Sequence, residues 1–190
     1  VKKILVVFLT ILSTLSFAEI YFWFDSSLGF SVYSELYTPE QKPVRALTDY
    51  GMQIGFDYGL QRGLRMGVNF AYLNMSIKTD LGSVDTSLIC VGIAPSFAFD
   101  FLDVVSQLSG GVQYVLAGPT GSLAGFGISG TSNFQGWIYT GKLDLLWELS
   151  EQFSVGMGIN VRFHDLNILT RNLSLRSLSV PISLKISYRF

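Results

Sequence analysis

From about residue 20 to its last residue, this chain alternates apolar and small or polar side chains with a period of two, which excludes helix as its main element. Tyr50, Met52, Ile54, Phe56 and Tyr58 share one face of a strand, and Gly51, Gln53, Gly55, Asp57 and Gly59 share the other. The split recurs from Leu64 to Tyr72, from Ile89 to Phe99, from Phe153 to Phe163 and, most cleanly, from Leu178 to Phe190. Three noisier segments follow it over about Ile20 to Tyr37, Val104 to Ala117 and Gln135 to Trp147. The pattern predicts about eight strands, each long enough for the ~9–11 residues of a tilted membrane-crossing strand.

Alternation alone fits a soluble barrel as well as a membrane barrel, and the small-residue face separates the two. A solvated strand face carries Lys, Glu, Thr and Arg, whereas this one is mostly Gly, Ala and Ser. The opposite face is bulky almost without interruption, too much volume for the inside of a small barrel. Charged residues are only 14% of the 190, against roughly a quarter in ordinary soluble domains. The strand charges Asp25, Glu35, Asp57, Arg65, Lys142, Asp144, Arg162, Lys185 and Arg189 are all read on the small-residue face. An Arg or Lys facing lipid at mid-depth costs ~2–4 kcal/mol, which accounts for that placement. Aromatics near strand ends, such as Tyr50, Tyr58, Tyr72, Trp137, Trp147 and Tyr188, suit interfacial girdles. The expectation is an all-β fold, a closed up-and-down antiparallel transmembrane β-barrel with the charges inside.

The connections are read as alternating in length. Gly59 to Gly63, Asp100 to Asp103 and Glu148 to Gln152 are short. Thr38 to Asp49, Asn74 to Asp85, Ala117 to Asn133 and Asp165 to Arg176 are long. Ahead of the strands, Lys2 and Lys3 precede the apolar run Ile4 to Leu12, with small residues at Ser16 and Ala18. This is the layout of a secretory signal peptide, residues 1–18, cleaved after Ala18 to leave residues 19–190 as one barrel domain. Cys90 is the one cysteine, so no intramolecular disulfide staples an exported chain, and it reads as a buried filler. A formal net charge of −1 leaves no basic footprint for nucleic acid.

The final heptad, Leu184-Lys185-Ile186-Ser187-Tyr188-Arg189-Phe190, ends in Phe behind alternating apolar positions. Together with the strand pattern, it resembles the small bacterial outer-membrane β-barrel proteins of the OmpA-type transmembrane domain class. The resemblance implies that Ile186, Tyr188 and Phe190 form the signal read by the outer-membrane assembly machinery. It also implies that the short turns and termini face the periplasm and the long loops face outward.

The nine strand charges, four acidic and five basic, read first as a salt-bridge network filling a narrow lumen, and second as the lining of an ion or solute path. His164, the one histidine, sits beside Asp165 and reads as a polar rim residue. The competing reading is a lipid-modifying hydrolase, for which Ser174 and Ser177 lie within reach but nothing in their spacing selects them. Pro95 and Pro181 interrupt strand patterns and are expected at bulges or strand ends; the alternative is a lateral opening for small apolar molecules. The loop segment Tyr37 to Pro43 and the Gly-rich stretch from Ala117 to Asn133 are candidates for an extracellular ligand. No metal, phosphate-loop, dinucleotide or calcium-loop signature occurs, so no catalytic, cofactor or metal residues are assigned. The sequence favours a non-enzymatic structural or surface-interaction role in the envelope, in contact with outer-membrane lipid, with a narrow or lateral transport channel as the alternative.

Overall fold

The structure is a computed structural model, and it describes residues 19–37, 46–61, 63–79, 82–101, 104–120, 132–168 and 173–190. The signal-peptide reading of residues 1–18 and most of the two candidate binding loops lie outside the described residues. Eight long strands follow in chain order: β1 (Ile20–Tyr37), β2 (Ala46–Gln61), β3 (Leu64–Thr79), β4 (Gly82–Phe101), β5 (Val104–Ala117), β6 (Gln135–Glu148), β7 (Phe153–Ile168) and β8 (Leu173–Arg189). Each pairs antiparallel with the next. β1 pairs with β8 from Tyr21↔Arg189 to Tyr37↔Ser174, so the sheet closes on itself. Closure removes the free edges that an open sheet would expose, as lipid requires. Pro119–Thr120 and Ser132–Asn133 add a two-residue ladder beside β4.

Two of the expected long loops are largely strand. The β3–β4 ladder continues to Thr79↔Gly82, and the β7–β8 ladder to Leu173↔Ile168. The predicted connections Asn74 to Asp85 and Asp165 to Arg176 are therefore corrected to barrel wall. Strands of 14 to 20 residues exceed what a bilayer crossing needs. The surplus reaches beyond the hydrocarbon by about 10–20 Å at a rise of ~3.3 Å per residue and ~45° tilt.

That surplus changes which face is apolar. Lower on the wall, Met52, Phe70, Ile159 and Leu184 point outward and are exposed, while Asp25, Asp57, Asn69 and Ser183 point inward and are buried. Above Tyr72 in β3 and Leu178 in β8 the arrangement inverts. Asn74, Ser76, Ser87, Asp165, Asn167 and Arg176 now face outward. Leu73, Met75, Leu88, Val115, Ile138, Leu166 and Leu175 face inward and pack, with Cys90 and Phe134, into one buried cluster. The expectation of a polar lumen throughout is thus corrected. The lower storey is built for lipid outside and polar groups inside; the upper storey is built like a soluble barrel, with an apolar core facing itself.

The prolines also differ from expectation, since both lie mid-strand. Pro95 pairs with Met66 in β3, but the β4–β5 ladder skips Ala94 and Pro95 opposite Gly110 and Gly111. Pro181 pairs with Gly29 in β1, and the β7–β8 ladder skips Val180 and Pro181 opposite Asn160 and Val161. Each proline has no N–H to give its second neighbour, so one ladder lapses for two residues while the other holds.

Candidate functional site

The chemistry-bearing side chains converge in the lumen of the lower storey, in two clusters. The first runs across the barrel. Trp23 Nε1 donates to Asp57 Oδ1 at 2.8 Å, and Gln107 Nε2 donates to Asp57 Oδ2 at 3.2 Å and to Ser96 Oγ at 2.8 Å. Lys185 Nζ donates to Gln107 Oε1 at 2.8 Å and to Asp144 Oδ2 at 3.1 Å. Lys142 bridges Asp144, 2.9 Å away, and Asp25. The chain of contacts leaves β1 at Trp23, crosses β2, β5, β8 and β6, and returns to β1 at Asp25. Both ammonium groups lie over the Trp23 ring, Lys185 at 5.0 Å and Lys142 at 5.9 Å from its centroid.

The small residues of the inner face make room for these groups. A Cβ on Gly67 would lie 2.2 Å from Asp57 Oδ1, one on Gly158 2.1 Å from Asp144 Oδ1, and one on Gly55 2.4 Å from the Trp23 ring. A cavity of about 30 Å³, room for a couple of water molecules, remains beside the cluster, lined in part by Trp23, Ser109, Thr140, Lys142, Asn160 and Lys185.

The second cluster lies where the two storeys meet. Arg162, 1% exposed, donates from Nη1 to Asp49 Oδ1 at 2.9 Å and from Nη2 to Ser27 Oγ at 2.6 Å. Ser179 Oγ donates to Asp49 Oδ2 at 2.6 Å, and His164 Nε2 lies 3.6 Å from the same oxygen. The sequence reading missed Asp49, because it assigned that residue to the end of a loop. Its signal was present in the parity: Asp49 continues the inward series Gly51, Gln53, Gly55 and Asp57. His164 is corrected from rim to interior, buried at 1%. It has the aspartate neighbour a hydrolase would need, but Ser179 hydrogen-bonds to Asp49, and Ser177 Oγ bonds Ser31 Oγ at 2.9 Å. The apolar core lies directly above, since Leu166 follows on the same face of β7.

Of the nine charges assigned to one network, Asp25, Asp57, Lys142, Asp144 and Lys185 are brought together, and Arg162 belongs to the Asp49 cluster. Arg65 and Arg189 lie at the turn end of the barrel. Arg65 covers the Tyr21 ring at 3.7 Å, and Arg189 Nη1 is 3.6 Å from Glu19 Oε1. Glu35 is a correction. A bulge between Ser31 and Tyr33 slips the register, so Ser34 takes the inward place opposite Ser177 and Glu35 pairs with Arg176 outside. There Arg176 also meets Asp165, Nε to Oδ1, at 3.2 Å. At the terminus, Ile186 and Tyr188 face outward, and Phe190 N–H donates to Ile20 C=O at 2.9 Å as the barrel closes.

No protein-family model matches the chain, and no curated sequence matches it. Solved structures do. Neisserial surface protein A aligns over 90% of this chain and 97% of its own, at 11% identity and a TM-score of 0.63. The outer membrane protein OprG from Pseudomonas aeruginosa aligns over 91% and 95%, at 14% identity and a TM-score of 0.57. The chain therefore has the fold of the small eight-stranded outer-membrane β-barrel proteins.

Proposed function

We propose that the chain is an integral outer-membrane barrel with a non-catalytic role, anchoring in the membrane a water-facing upper storey that serves envelope structure or surface interaction. The observation that carries this reading is the filled interior. The lower lumen is crossed by the Trp23–Asp57–Gln107–Lys185–Asp144–Lys142–Asp25 chain, and the upper lumen is packed with apolar side chains. An ion would have to break buried ion pairs and then cross a dry core, so the barrel is read as plugged. Delivery would follow removal of residues 1–18, with Ile186, Tyr188 and Phe190 engaging the assembly machinery and membrane lipid contacting the belt around Ile159 and Leu184. An extracellular partner would meet the loop end. The test is conductance of the refolded protein in planar bilayers. A plugged barrel gives no discrete steps at physiological salt, and reproducible openings would return the pore reading to first place.

A further inference from the structure

The cavity of the lower lumen lies between the two clusters. Asp57, Gln107, Lys142 and Lys185 of the first line it, and so does Arg162 of the second. The acceptors of its lining are engaged. Asp57 accepts from Trp23 and Gln107, Gln107 from Lys185, Asn69 from Gln113 at 2.9 Å and Gln53 from Gln113 at 3.5 Å. The donors are not all spent. Asn160 Nδ2 and Arg162 Nε are buried without a hydrogen-bond partner among the described residues, on side chains 4% and 1% exposed. Lys142 meets Asp25 and Asp144, and Lys185 meets Gln107 and Asp144, so each ammonium keeps a hydrogen to give.

We infer that this cavity is a binding site for a small inorganic anion of halide size, captured as the barrel closes around it. Across both clusters carboxylates outnumber cations, yet the charges that line the space are Lys142, Arg162 and Lys185 against Asp57 alone. Asp25, Asp49 and Asp144 pair with those cations without lining the cavity. A buried N–H with no acceptor is costly, and the unspent ones here all belong to lining residues. A halide answers them better than water does. Water brings hydrogens of its own, and with the oxygens of Asp57, Gln53, Asn69 and Gln107 engaged, these fall to hydroxyls such as Ser109 and Thr140. A halide brings none and accepts from several directions at once. About 30 Å³ admits it and excludes an organic anion such as gluconate. Its retention rests on the plugged-barrel reading, since it leaves only past the ion-paired layer or through the apolar core.

Bromide is the probe. The full barrel is refolded from urea into phospholipid vesicles in sodium bromide, desalted into sodium gluconate, and assayed for bromine by mass spectrometry against barrel-free vesicles. The wild type should retain bromide one-to-one with the barrel. Asn160→Asp keeps the shape of the side chain but replaces its N–H donors with a carboxylate oxygen, so retention should fall about tenfold or more. Asn160→Leu, which removes the donors without adding charge, should lose bromide too and serves if the aspartate variant does not fold. Arg65→Gln, at the turn end and away from the cavity, should retain as much as the wild type. A wild type that retains no bromide would leave the cavity to water and overturn the site, as would an Asn160→Asp barrel that retains as much as the wild type. Bilayer conductance of the same barrel separates this inference from the plug. Silence without retained bromide removes the anion alone, whereas discrete openings without it remove the plug as well.

Discussion

Replacing Asp49 with Ala should be among the most damaging single changes in the lumen, although Asp49 lies outside every charged pattern read from the sequence. Asp49 accepts from Arg162 at 2.9 Å and from Ser179 at 2.6 Å, and both partners are buried. Its removal leaves the Arg162 guanidinium with one hydroxyl partner, Ser27, and no counter-charge within a salt-bridge distance among the described residues. Stranding one member of a buried ion pair costs ~3–5 kcal/mol. Replacing both members with apolar groups costs far less, so Asp49→Ala with Arg162→Met should recover most of the loss. The assay is equilibrium urea unfolding in phospholipid vesicles, followed by tryptophan emission, for wild type, both single variants and the double variant. The expected coupling is about 2 kcal/mol or more. An Asp49→Ala barrel within ~1 kcal/mol of wild type, or a double variant losing the sum of the singles, would refute the reasoning.

Three further outcomes follow from the wall itself. Leu184 faces outward in the lower storey at 65% exposure, so Leu184→Arg should cost ~2–4 kcal/mol of membrane stability in the same unfolding assay. Arg176→Leu, on the outer face of the upper storey, should stay within ~1 kcal/mol despite the ion pair it loses to Asp165. A Cβ on Gly29 would lie 2.4 Å from Pro181 Cα, which forces β1 and β8 apart at the closing seam. Gly29→Ala should therefore lower the temperature at which the folded band is lost on an SDS gel, at a cost of ~1–3 kcal/mol. Gly141→Ala, where a Cβ meets nothing within 4 Å, should not, and equal behaviour of the two would sink the close-approach argument.

Strand count, closure and the lipid-facing parity were legible because one rule, bulky outside and small inside, holds over most of Tyr50 to Tyr58, Leu64 to Tyr72 and Leu178 to Phe190. The two stretches of wall read as loop share a cause: the same periodicity continues with its phase inverted. At Tyr72-Leu73 and again at Leu175 to Leu178, the apolar set moves to the opposite parity as the surroundings of the wall change from lipid to water. Read against a fixed parity, that inversion looks like the end of a strand, and wall was assigned to loop. Glu35 failed through a bulge, an extra residue that no single-strand pattern registers. His164 and Asp49 were legible as neighbours only once β2 and β7 were placed across the same lumen. The Gly and Ser of the inner face were rightly read as the mark of a narrow interior. Which carboxylate each glycine accommodates, Asp57 for Gly67 and Asp144 for Gly158, depends on contacts between strands distant in sequence.

The two-storey wall is tested most directly by spin labels placed along one face of β8, at positions 174, 176, 178, 180, 182 and 184, in a Cys90→Ala background in lipid vesicles. All six are even-numbered positions on the outward parity of β8, where Arg176, Val180, Ile182 and Leu184 are exposed. Relaxation by oxygen reports lipid, and relaxation by a water-soluble nickel chelate reports solvent. A wall that inverts above Leu178 gives chelate-dominated relaxation at 174 and 176, a crossover by 180, and oxygen-dominated relaxation at 182 and 184. Oxygen-dominated relaxation at all six positions would place the upper strands in lipid and contradict the inversion.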